Sequence, residues 1–311
     1  MMIDIIIPAY NAHSTIMKTL YSIAYQDFIN FCSVTIVNDG SEVDYSKEVK
    51  FFSNFMKIKE IKLEKNCGPA VARQIGLDNT SNPYIIFIDA DDMFLDCFSI
   101  KYLLGSIIRN NCDVVSSSFC EEYKGELKPL PNSLIWLHGK IFKRSFLVDK
   151  NIKFNDSRSN EDNGFLKLIK LCGANIKFVT GNTYIYINNK NSITRNKDNN
   201  YKYSSLEWLA YNTMWAINEG LKRVEYNTDF SEIAYSTLVC LFYNYLKFDY
   251  DDNIINISKD LYKFYSNNKV DNEDELYNIQ DVYYDNELSK LVKKSNIDIN
   301  EYFSRIEGVL W

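Results

Sequence analysis

The chain has 311 residues, 46% of them hydrophobic and 24% charged, and a formal net charge of −6 at pH 7. This composition is sufficient for a full hydrophobic core in one large or two modest domains and excludes a chain that is disordered throughout. The acidic balance argues against a general nucleic-acid binder, because such a protein needs a cationic surface to displace counterions.

The cysteine pattern and the N-terminus bear on the compartment. Seven cysteines, an odd number without a C-x-x-C pair, are typical of reduced thiols and not of a disulfide framework or a zinc site. The N-terminal MMIDIIIPAYN lacks the basic and long apolar regions of a signal peptide, and no apolar run approaches the length of a membrane span. We therefore expect a cytoplasmic location, in solution or at the inner face of the membrane, and no transmembrane segment.

Short apolar runs alternate with helical patterns along the first part of the chain. The predicted strands are residues 3–7, 33–37, 58–63, 84–88 and 113–117. The predicted helices are residues 14–25, 44–56, 68–79 and 97–110. Strands that are mostly apolar and separated by helices predict an α/β fold, with a mostly parallel sheet covered on both faces.

Beyond about residue 200 the strand pattern ends. Leu206, Ala210 and Ile217 recur at helical spacing, and so do Leu238, Leu241 and other apolar residues of the same region. The sequence therefore predicts a mainly α-helical C-terminal region.

Polar residues follow three of the predicted strands: PAYN after the first, NDGS after the second and DADD after the fourth. Since ligands of open parallel sheets bind beyond the carboxyl ends of the strands, we expect these segments to lie close together. Carboxylates spaced as Asp89 and Asp91 can coordinate Mg²⁺ or Mn²⁺, which prefer oxygen ligands and share their shell with phosphates. Alternatively, an aspartate such as Asp92 caps the helix that follows.

The order of these motifs resembles a known family. IIIPAYN (5–11), VNDGS (37–41), NCGPAVARQIG (66–76) and FIDADD (87–92) are similar to the N-terminal half of glycosyltransferase family 2, whose inverting enzymes have the Rossmann-like GT-A fold and use nucleotide-activated sugars. The acceptor-side segments of that family resemble WLHGKIFKRSFL (136–147), SNEDNGFLKLI (159–169) and YIYINNKNSIT (184–194). The resemblance covers about residues 3–195.

The resemblance implies a domain organisation. A GT-A domain is expected over residues 1–198, with a donor-binding half at about 1–95 and an acceptor-side half at about 96–198. The helical region then spans residues 199–311, and we expect it to contribute to acceptor recognition or to a homo-oligomer.

The resemblance also implies a donor site for a nucleotide-diphosphate sugar, foremost a UDP-sugar. Its expected residues are Pro8, Ala9, Tyr10, Asn11, Asp39, Gly68, Arg73, Asp89, Ala90 and Asp91. Among them, Asp39 is expected to accept a hydrogen bond from a uracil imide, and Arg73 to lie near the diphosphate. Asp91 is the expected direct ligand of Mn²⁺ or Mg²⁺, with Asp89 nearer to the ribose or to a metal-bound water.

Three of these residues also have a structural explanation. The ring of Tyr10 could be buried in the core, with its hydroxyl hydrogen-bonded to one partner. Asp39 suits a turn, in which Asp, Asn and Gly are favoured. Arg73 is equally consistent with an ordinary surface or ion-paired arginine on a helix.

On the acceptor side, the resemblance assigns Asp162 as the general base and Glu161 as a carboxylate that orients the acceptor or begins a helix. Acidic residues favour the first turn of a helix in any case. Trp136 is expected to stack on a sugar ring, and His138 or Lys140 to meet an anionic group, although a histidine at such a position is more often structural.

The function expected from the sequence is therefore an inverting, metal-dependent glycosyltransferase of the hexosyl- or N-acetylhexosaminyl-transferase type. Its acceptor would be a hydroxyl of a glycan, of a lipid-linked molecule or of a protein, with nucleic acid disfavoured by the charge. The alternatives are a nucleotidyltransferase and a non-catalytic sugar-nucleotide-binding or scaffold module. A nucleotidyltransferase is expected to carry a basic glycine-rich loop near its start, and PAYNAHST has no glycine.

Overall fold

The computed structural model describes residues 1–188, 199–268, 282–295 and 297–310. The chain forms two compact units, Met1–Arg195 and Asn196–Trp311. The first contains a sheet with flanking helices, and the second is helical. The domain boundary predicted at residue 198 lies outside the described residues, so it stays a prediction.

The first unit follows the predicted alternation of strands and helices. Its strands are β1 (Ile3–Ala9), β2 (Cys32–Asn38), β3 (Lys57–Lys62), β4 (Tyr84–Phe87), β5 (Met93–Phe94), β6 (Val114–Tyr123), β7 (Glu126–Leu130), β8 (Lys140–Lys143) and β9 (Ile176–Ile187). Its helices are α1 (Ile16–Ala24), α2 (Ser46–Phe52), α3 (Pro69–Asp78), α4 (Ser99–Asn110), α5 (Arg144–Asp149) and α6 (Glu161–Leu171).

The strands of the described residues form one sheet in the order β3-β2-β1-β4-β8-β6-β9-β5, with β7 beside β6. The first four strands in this order are parallel, and β6 is parallel to β9. Strand β8 runs antiparallel to both β4 and β6, and β5 and β7 are antiparallel edge additions. The predicted α/β sheet flanked by helices is confirmed, and its parallel register is continuous in the β3-β2-β1-β4 part.

Both faces of the first strand are buried, as its continuous apolar sequence predicts. Ile3, Ile5 and Ile7 belong to the main hydrophobic core, together with residues of α1 and α4. On the opposite face Ile6 meets α3 at Gly76, where an added Cβ would lie 2.3 Å from the Ile6 side chain. Glycine at this position therefore allows α3 to pack directly on the sheet.

A buried ion pair between Asp4 and Arg144 links the start of β1 to the segment that precedes β4. The Asp4 carboxylate accepts hydrogen bonds from the backbone and side-chain amides of Asn82, both at 2.7 Å, and from Nη2 of Arg144 at 3.0 Å. Arg144 also donates to the carbonyl oxygen of Leu77 and to the hydroxyl of Thr80, at the end of α3. One guanidinium thus joins α5, α3 and β1.

Replacing Arg144 by Met is expected to lower the free energy of unfolding by about 3 kcal/mol, because Asp4 would remain buried without its cation. Urea denaturation of the full chain measures this loss. Lys101→Met is the matched control, since Lys101 forms an exposed pair with Asp27 at 3.1 Å and should contribute less than about 1 kcal/mol. Equal losses in the two variants would contradict a special role for the buried pair.

The second unit is built from helices whose core is rich in tyrosine. They are α7 (Asn199–Leu221), α8 (Thr228–Lys247), α9 (Asp252–Asn267), α10 (Val282–Ser295) and α11 (Ile299–Leu310). Tyr245 and Tyr302 are buried between α8, α9 and α11, and the Tyr302 hydroxyl pairs with that of Ser258 at 2.6 Å. This confirms the predicted helical C-terminal region. Among the described helices, none combines the length and the apolar sequence that crossing a bilayer requires.

Candidate active site

The carboxyl ends of β1 and β2 are joined by Asp39. Its backbone N–H donates to the carbonyl oxygen of Ala9 at 2.8 Å, and its buried carboxylate accepts from the N–H groups of Cys67 at 2.7 Å and Gly68 at 2.8 Å. Gly68 has φ +95°, a conformation that favours glycine, and α3 begins at the next residue. Asp39 therefore fixes the entry of α3 next to the strand ends, and each of its oxygens retains a further lone pair for a ligand.

The segment after β1 forms the open side of this edge. Pro8 and Ala9 are the last residues of β1. Tyr10 is 53% exposed, so the alternative that placed its ring in the core is wrong. Asn11 adopts a left-handed conformation, with φ +49°, and its N–H donates to the hydroxyl of Ser41 at 2.9 Å. The structure thus places an exposed aromatic ring and an asparagine beside Asp39.

Arg73, in α3, connects the turn after β4 with the start of α6. Its Nη2 donates to Asp89 Oδ1 at 2.6 Å, and its Nη1 donates to Glu161. Burial opposes the charged form of Arg73, but Asp89, Glu161 and Asp162 together raise its pKa above the ordinary value. Burial likewise favours the neutral form of Asp89, but Arg73 lowers the pKa of that carboxyl. The result is a buried arginine that is held charged between carboxylates from two distant segments.

Asp92 has a role that differs from the one considered from the sequence. Its carboxylate accepts hydrogen bonds from the hydroxyl of Tyr184 at 2.6 Å and from the N–H of Ile187 at 2.8 Å, both in β9. Burial raises its pKa well above the usual range, and Asp89 and Asp91 add to the effect. The helix-cap explanation is wrong: Asp92 anchors the acidic turn to β9, and α4 begins only at Ser99.

Three side chains of this region offer ligand atoms that all lie within 4.8 Å of one another: Asp89, Asp92 and His138. His138 Nε2 lies 3.9 Å from Asp89 Oδ2 and 3.9 Å from Asp92 Oδ2. Arg73 occupies only Oδ1 of Asp89, so Oδ2 remains directed toward His138. Carboxylate oxygens suit Mg²⁺ and Mn²⁺, an imidazole in the same set favours a transition metal such as Mn²⁺ over Mg²⁺, and Asp91 lies in the same turn. The residues present therefore fit the implied metal.

His138 stands in a stack of aromatic rings. Its ring is stacked on Tyr184 at a centroid distance of 4.7 Å and on Tyr186 at 5.2 Å, and Trp136 lies parallel to it at 6.2 Å. Trp136 is exposed at the outer end of the stack. A flat aromatic surface at the rim of a polar site is suited to contact with a sugar ring.

Burial above all, with contributions from Lys140 and Arg73, lowers the pKa of His138 to about 4, although Asp89 acts in the opposite direction. His138 is therefore neutral at pH 7. In that state Nε2 can bind a metal, whereas a protonated ring would repel one.

Asp162 and Lys140 both titrate close to neutral pH. Burial, with a contribution from Glu161, raises the pKa of Asp162 to about 7, while Arg73 opposes the change. Burial lowers the pKa of the fully buried Lys140 to about 7, and the carboxylate of Asp162 opposes that shift. A carboxylate with such a pKa can accept a proton at physiological pH, which is the property that a general base needs.

The structure brings the predicted site residues together in two groups, one around Asp39 and Gly68 at the ends of β1 and β2, the other around Asp89 and Arg73. Arg73 joins Asp89 to Glu161, and His138 faces Asp89. Sequence reasoning missed Tyr184 and Tyr186, which support His138. Their alternation in YIYI, which places both on one face of a strand, was the available signal. Ala90 is buried inside the acidic turn.

Comparison with known proteins bears on this geometry. A poly(ribitol-phosphate) beta-N-acetylglucosaminyltransferase, TarS of Staphylococcus aureus, is 27% identical over 203 residues, which are 60% of this chain and 35% of that protein. This chain therefore spans about a third of the length of that curated relative.

Two solved structures share the fold. The crystal structure of residues 1–349 of S. aureus TarS in complex with UDP-GlcNAc superposes with a TM-score of 0.70 at 21% identity, over 85% of this chain and 81% of that one. A mannosyltransferase of Pyrobaculum calidifontis, solved with GDP-Man and Mn²⁺, has a TM-score of 0.57 at 12% identity, over 99% of this chain and 87% of that one. Residues 4–160, about half of the chain, match the profile of glycosyl transferase family 2, and the chain belongs to that family.

Proposed function

We propose that this chain is an inverting, metal-dependent glycosyltransferase that moves a sugar from a nucleoside-diphosphate donor to a hydroxyl of a glycan, a lipid-linked molecule or a protein. The observation that carries this proposal is the buried Arg73, which ties the acidic turn at Asp89 to Glu161 and so places Asp162 beside it. The N-acetylglucosaminyl activity in the name of TarS, and the UDP-GlcNAc in its structure, support a UDP-N-acetylhexosamine as the first donor to test.

The donor would lie across the ends of β1, β2 and β4. Asp39 keeps free lone pairs for a base imide, and Tyr10 offers an exposed ring to a planar base. We expect Asp89 and Asp91 to hold Mn²⁺ or Mg²⁺, which would offset the negative charge of the diphosphate. The grouping of Asp89 with Asp92 and His138 supports a cation at this position, although Asp91 is not part of that group. Arg73 adds a fixed positive charge next to the group that departs.

Asp162 would take the proton of the acceptor hydroxyl. As that hydroxyl attacks the anomeric carbon, the bond to the nucleoside diphosphate breaks on the opposite face, and the anomeric configuration inverts. Glu161 is held by Arg73 and keeps the start of α6 in place. Trp136 would stack on the acceptor sugar. Lys140 is buried near Asp162, so the direct contact with an anionic group expected from the sequence is not available in this structure, and its charge would act on Asp162 instead.

The division into donor-binding and acceptor-side halves belongs to this proposal, as does a role of the helical region in acceptor recognition or oligomer formation. Family membership argues against the nucleotidyltransferase alternative. A non-catalytic sugar-nucleotide-binding module is the remaining competitor.

A thermal-shift experiment on the full chain tests the donor site. UDP-GlcNAc or UDP is added together with Mn²⁺, with the nucleotide at a concentration about a hundredfold above its dissociation constant. The melting temperature should rise by roughly 5 °C, because a ligand that binds only the native state stabilises it. EDTA should abolish the shift, and GDP and CDP should produce smaller shifts than UDP. Asp91→Asn should lose the metal-dependent shift, whereas Asp156→Asn, an exposed carboxylate, should keep it.

The outcomes separate the competing functions. Absence of a shift with every nucleotide would contradict the donor site, and an equal shift in EDTA would contradict the metal. A shift without release of UDP from UDP-GlcNAc, even by slow hydrolysis, would favour the non-catalytic module.

A further inference from the structure

The surface formed by α1 and α2 exposes four aromatic side chains. Tyr21 and Tyr25 are 52% and 76% exposed, and Phe51 and Phe55 are 44% and 56% exposed. The ring centroids of Tyr21 and Phe51 are 6.2 Å apart, and those of Phe51 and Phe55 are 5.6 Å apart. Single exposed apolar residues are ordinary, but a contiguous group of exposed aromatic rings indicates a binding surface.

Lysines adjoin these rings on the same helix faces. Lys18 precedes Tyr21 by three residues on α1, and Lys47 precedes Phe51 by four on α2, spacings that place each pair on one side of its helix. Lys50 lies on α2 one turn after Lys47, and all three lysines are exposed. We name these seven residues, four aromatic and three basic, the aromatic–lysine face.

The charge of this face is opposite to that of the whole chain. Helix α1 contains no acidic residue, and Glu48 is the one acidic residue of α2. The exposed Asp44, two residues before α2, interacts with Lys47, so the three lysines outnumber two neighbouring carboxylates. Near Tyr25, Asp27 is paired with Lys101 at 3.1 Å. A positive, aromatic surface on a chain of net charge −6 therefore faces solvent.

The outer rings of this face, Tyr25 and Phe55, lie away from the candidate active site. Strands β1 and β2 end at the site, and α1 and α2 lead back from those ends toward the start of the next strand. Tyr25 follows the end of α1, and Phe55 stands two residues before β3 begins. The rings of Tyr25 and Phe55 therefore lie toward the amino ends of the strands, whereas Lys18 and Lys47, in the first turns of α1 and α2, lie nearer the site.

We propose that the aromatic–lysine face docks on an anionic lipid surface. Aromatic rings are well suited to the headgroup level of a bilayer, and exposed lysines next to them are attracted to anionic headgroups. Long lysine side chains can extend to the headgroups while the rings insert. Phe52, buried beneath Tyr21 and Phe51, gives the exposed rings a fixed base.

Charge favours this occupant over a second copy of the chain. A twofold contact through the same surface would set the lysines of one copy against the lysines of the other. An anionic bilayer instead offers negative charge across the whole face. Because none of the seven residues belongs to the candidate site, binding to a bilayer does not depend on the proposed transfer reaction.

Co-sedimentation of the full chain with vesicles tests the inference. The chain should pellet with vesicles of phosphatidylcholine and phosphatidylglycerol, not with phosphatidylcholine alone, and binding should weaken as salt is raised. The double variant F51S/F55S should bind the anionic vesicles at least about tenfold more weakly, since it loses most of the inserted apolar surface. The triple variant K18E/K47E/K50E should lose the preference for anionic lipid.

Two controls keep the result interpretable. Y123S removes an exposed ring of β6 and should bind vesicles like the parent chain. Every variant should keep the parent melting temperature and nucleotide-induced shift, which shows that it is folded. No binding of the parent chain to anionic vesicles, or unchanged binding by F51S/F55S, would overturn the inference. So would a parent dimer that F51S/F55S converts to a monomer, because the face would then be a contact between copies.

Discussion

Replacement of Asp162 by Asn is expected to lower the turnover number by about 100-fold or more, the usual contribution of a general base, while leaving donor affinity nearly unchanged. Asn preserves the size of the side chain and removes the group that accepts the proton. Steady-state rates with saturating UDP-GlcNAc, together with the nucleotide-induced thermal shift, separate the two effects. Asp156→Asn, an exposed change shortly before α6, is the matched control and should retain parent activity.

The pH dependence gives a second readout of the same residue. Since burial raises the pKa of Asp162 to about 7, kcat/KM of the parent should fall about tenfold per unit as the pH drops below 7, because the base becomes protonated. A raised carboxyl pKa also means that the native state holds a proton which the unfolded state has lost, so stability falls as pH rises from about 4 to 7. Asp162→Asn has no carboxyl to ionise and lacks this destabilisation at high pH. The variant should therefore be more stable than the parent at pH 8 but not at pH 4. Unchanged turnover in the variant would remove Asp162 from the role.

The strands that the sequence predicted well are the ones with a simple physical signal. Residues 3–7, 33–37 and 84–88 are mostly apolar without strict alternation because they are buried on both faces, and each corresponds to an observed strand. Strand β8 was missed because its four residues, KIFK, begin and end with lysine, although Lys140 is buried in the centre of the sheet. Strand β9 mixes buried and half-exposed residues, so its pattern has no continuous apolar run.

The site was predictable where its residues are local and unpredictable where they meet across the chain. The acidic turn and the strand ends could be recognised from contiguous motifs. The contact of Arg73 with Glu161 joins positions 88 residues apart, and neither residue type indicates the other from sequence. Burial is likewise a property of the fold, so the shifted pKa values of His138 and Lys140 had no counterpart in the sequence.

Replacement of Arg73 by Met is expected to lower the free energy of unfolding by about 3–5 kcal/mol at pH 7 and to abolish measurable transfer. Met fills much of the same volume but leaves Asp89 and the buried Glu161 without their shared cation, and uncompensated buried charge is strongly destabilising. Arg73→Lys keeps a charge but cannot span both carboxylates with a planar fork, so it should lie between the parent and Met in stability. Urea denaturation measures the loss, and Arg109→Met, on the exposed end of α4, should change stability by less than about 0.5 kcal/mol.

The pH dependence distinguishes lost charge compensation from simple loss of packing. In the parent, Arg73 lowers the pKa of Asp89, so this pair contributes stability at pH values above the unfolded carboxyl pKa and loses it as the pH falls through the lower folded value. In Arg73→Met the Asp89 carboxyl is expected to take up a proton at higher pH and become neutral, which relieves its uncompensated charge. The stability deficit of the variant should therefore be smaller at pH 5 than at pH 8. A deficit of equal size at both pH values would mean that Arg73 acts through its packing alone, and would remove the electrostatic bridge from the proposed site.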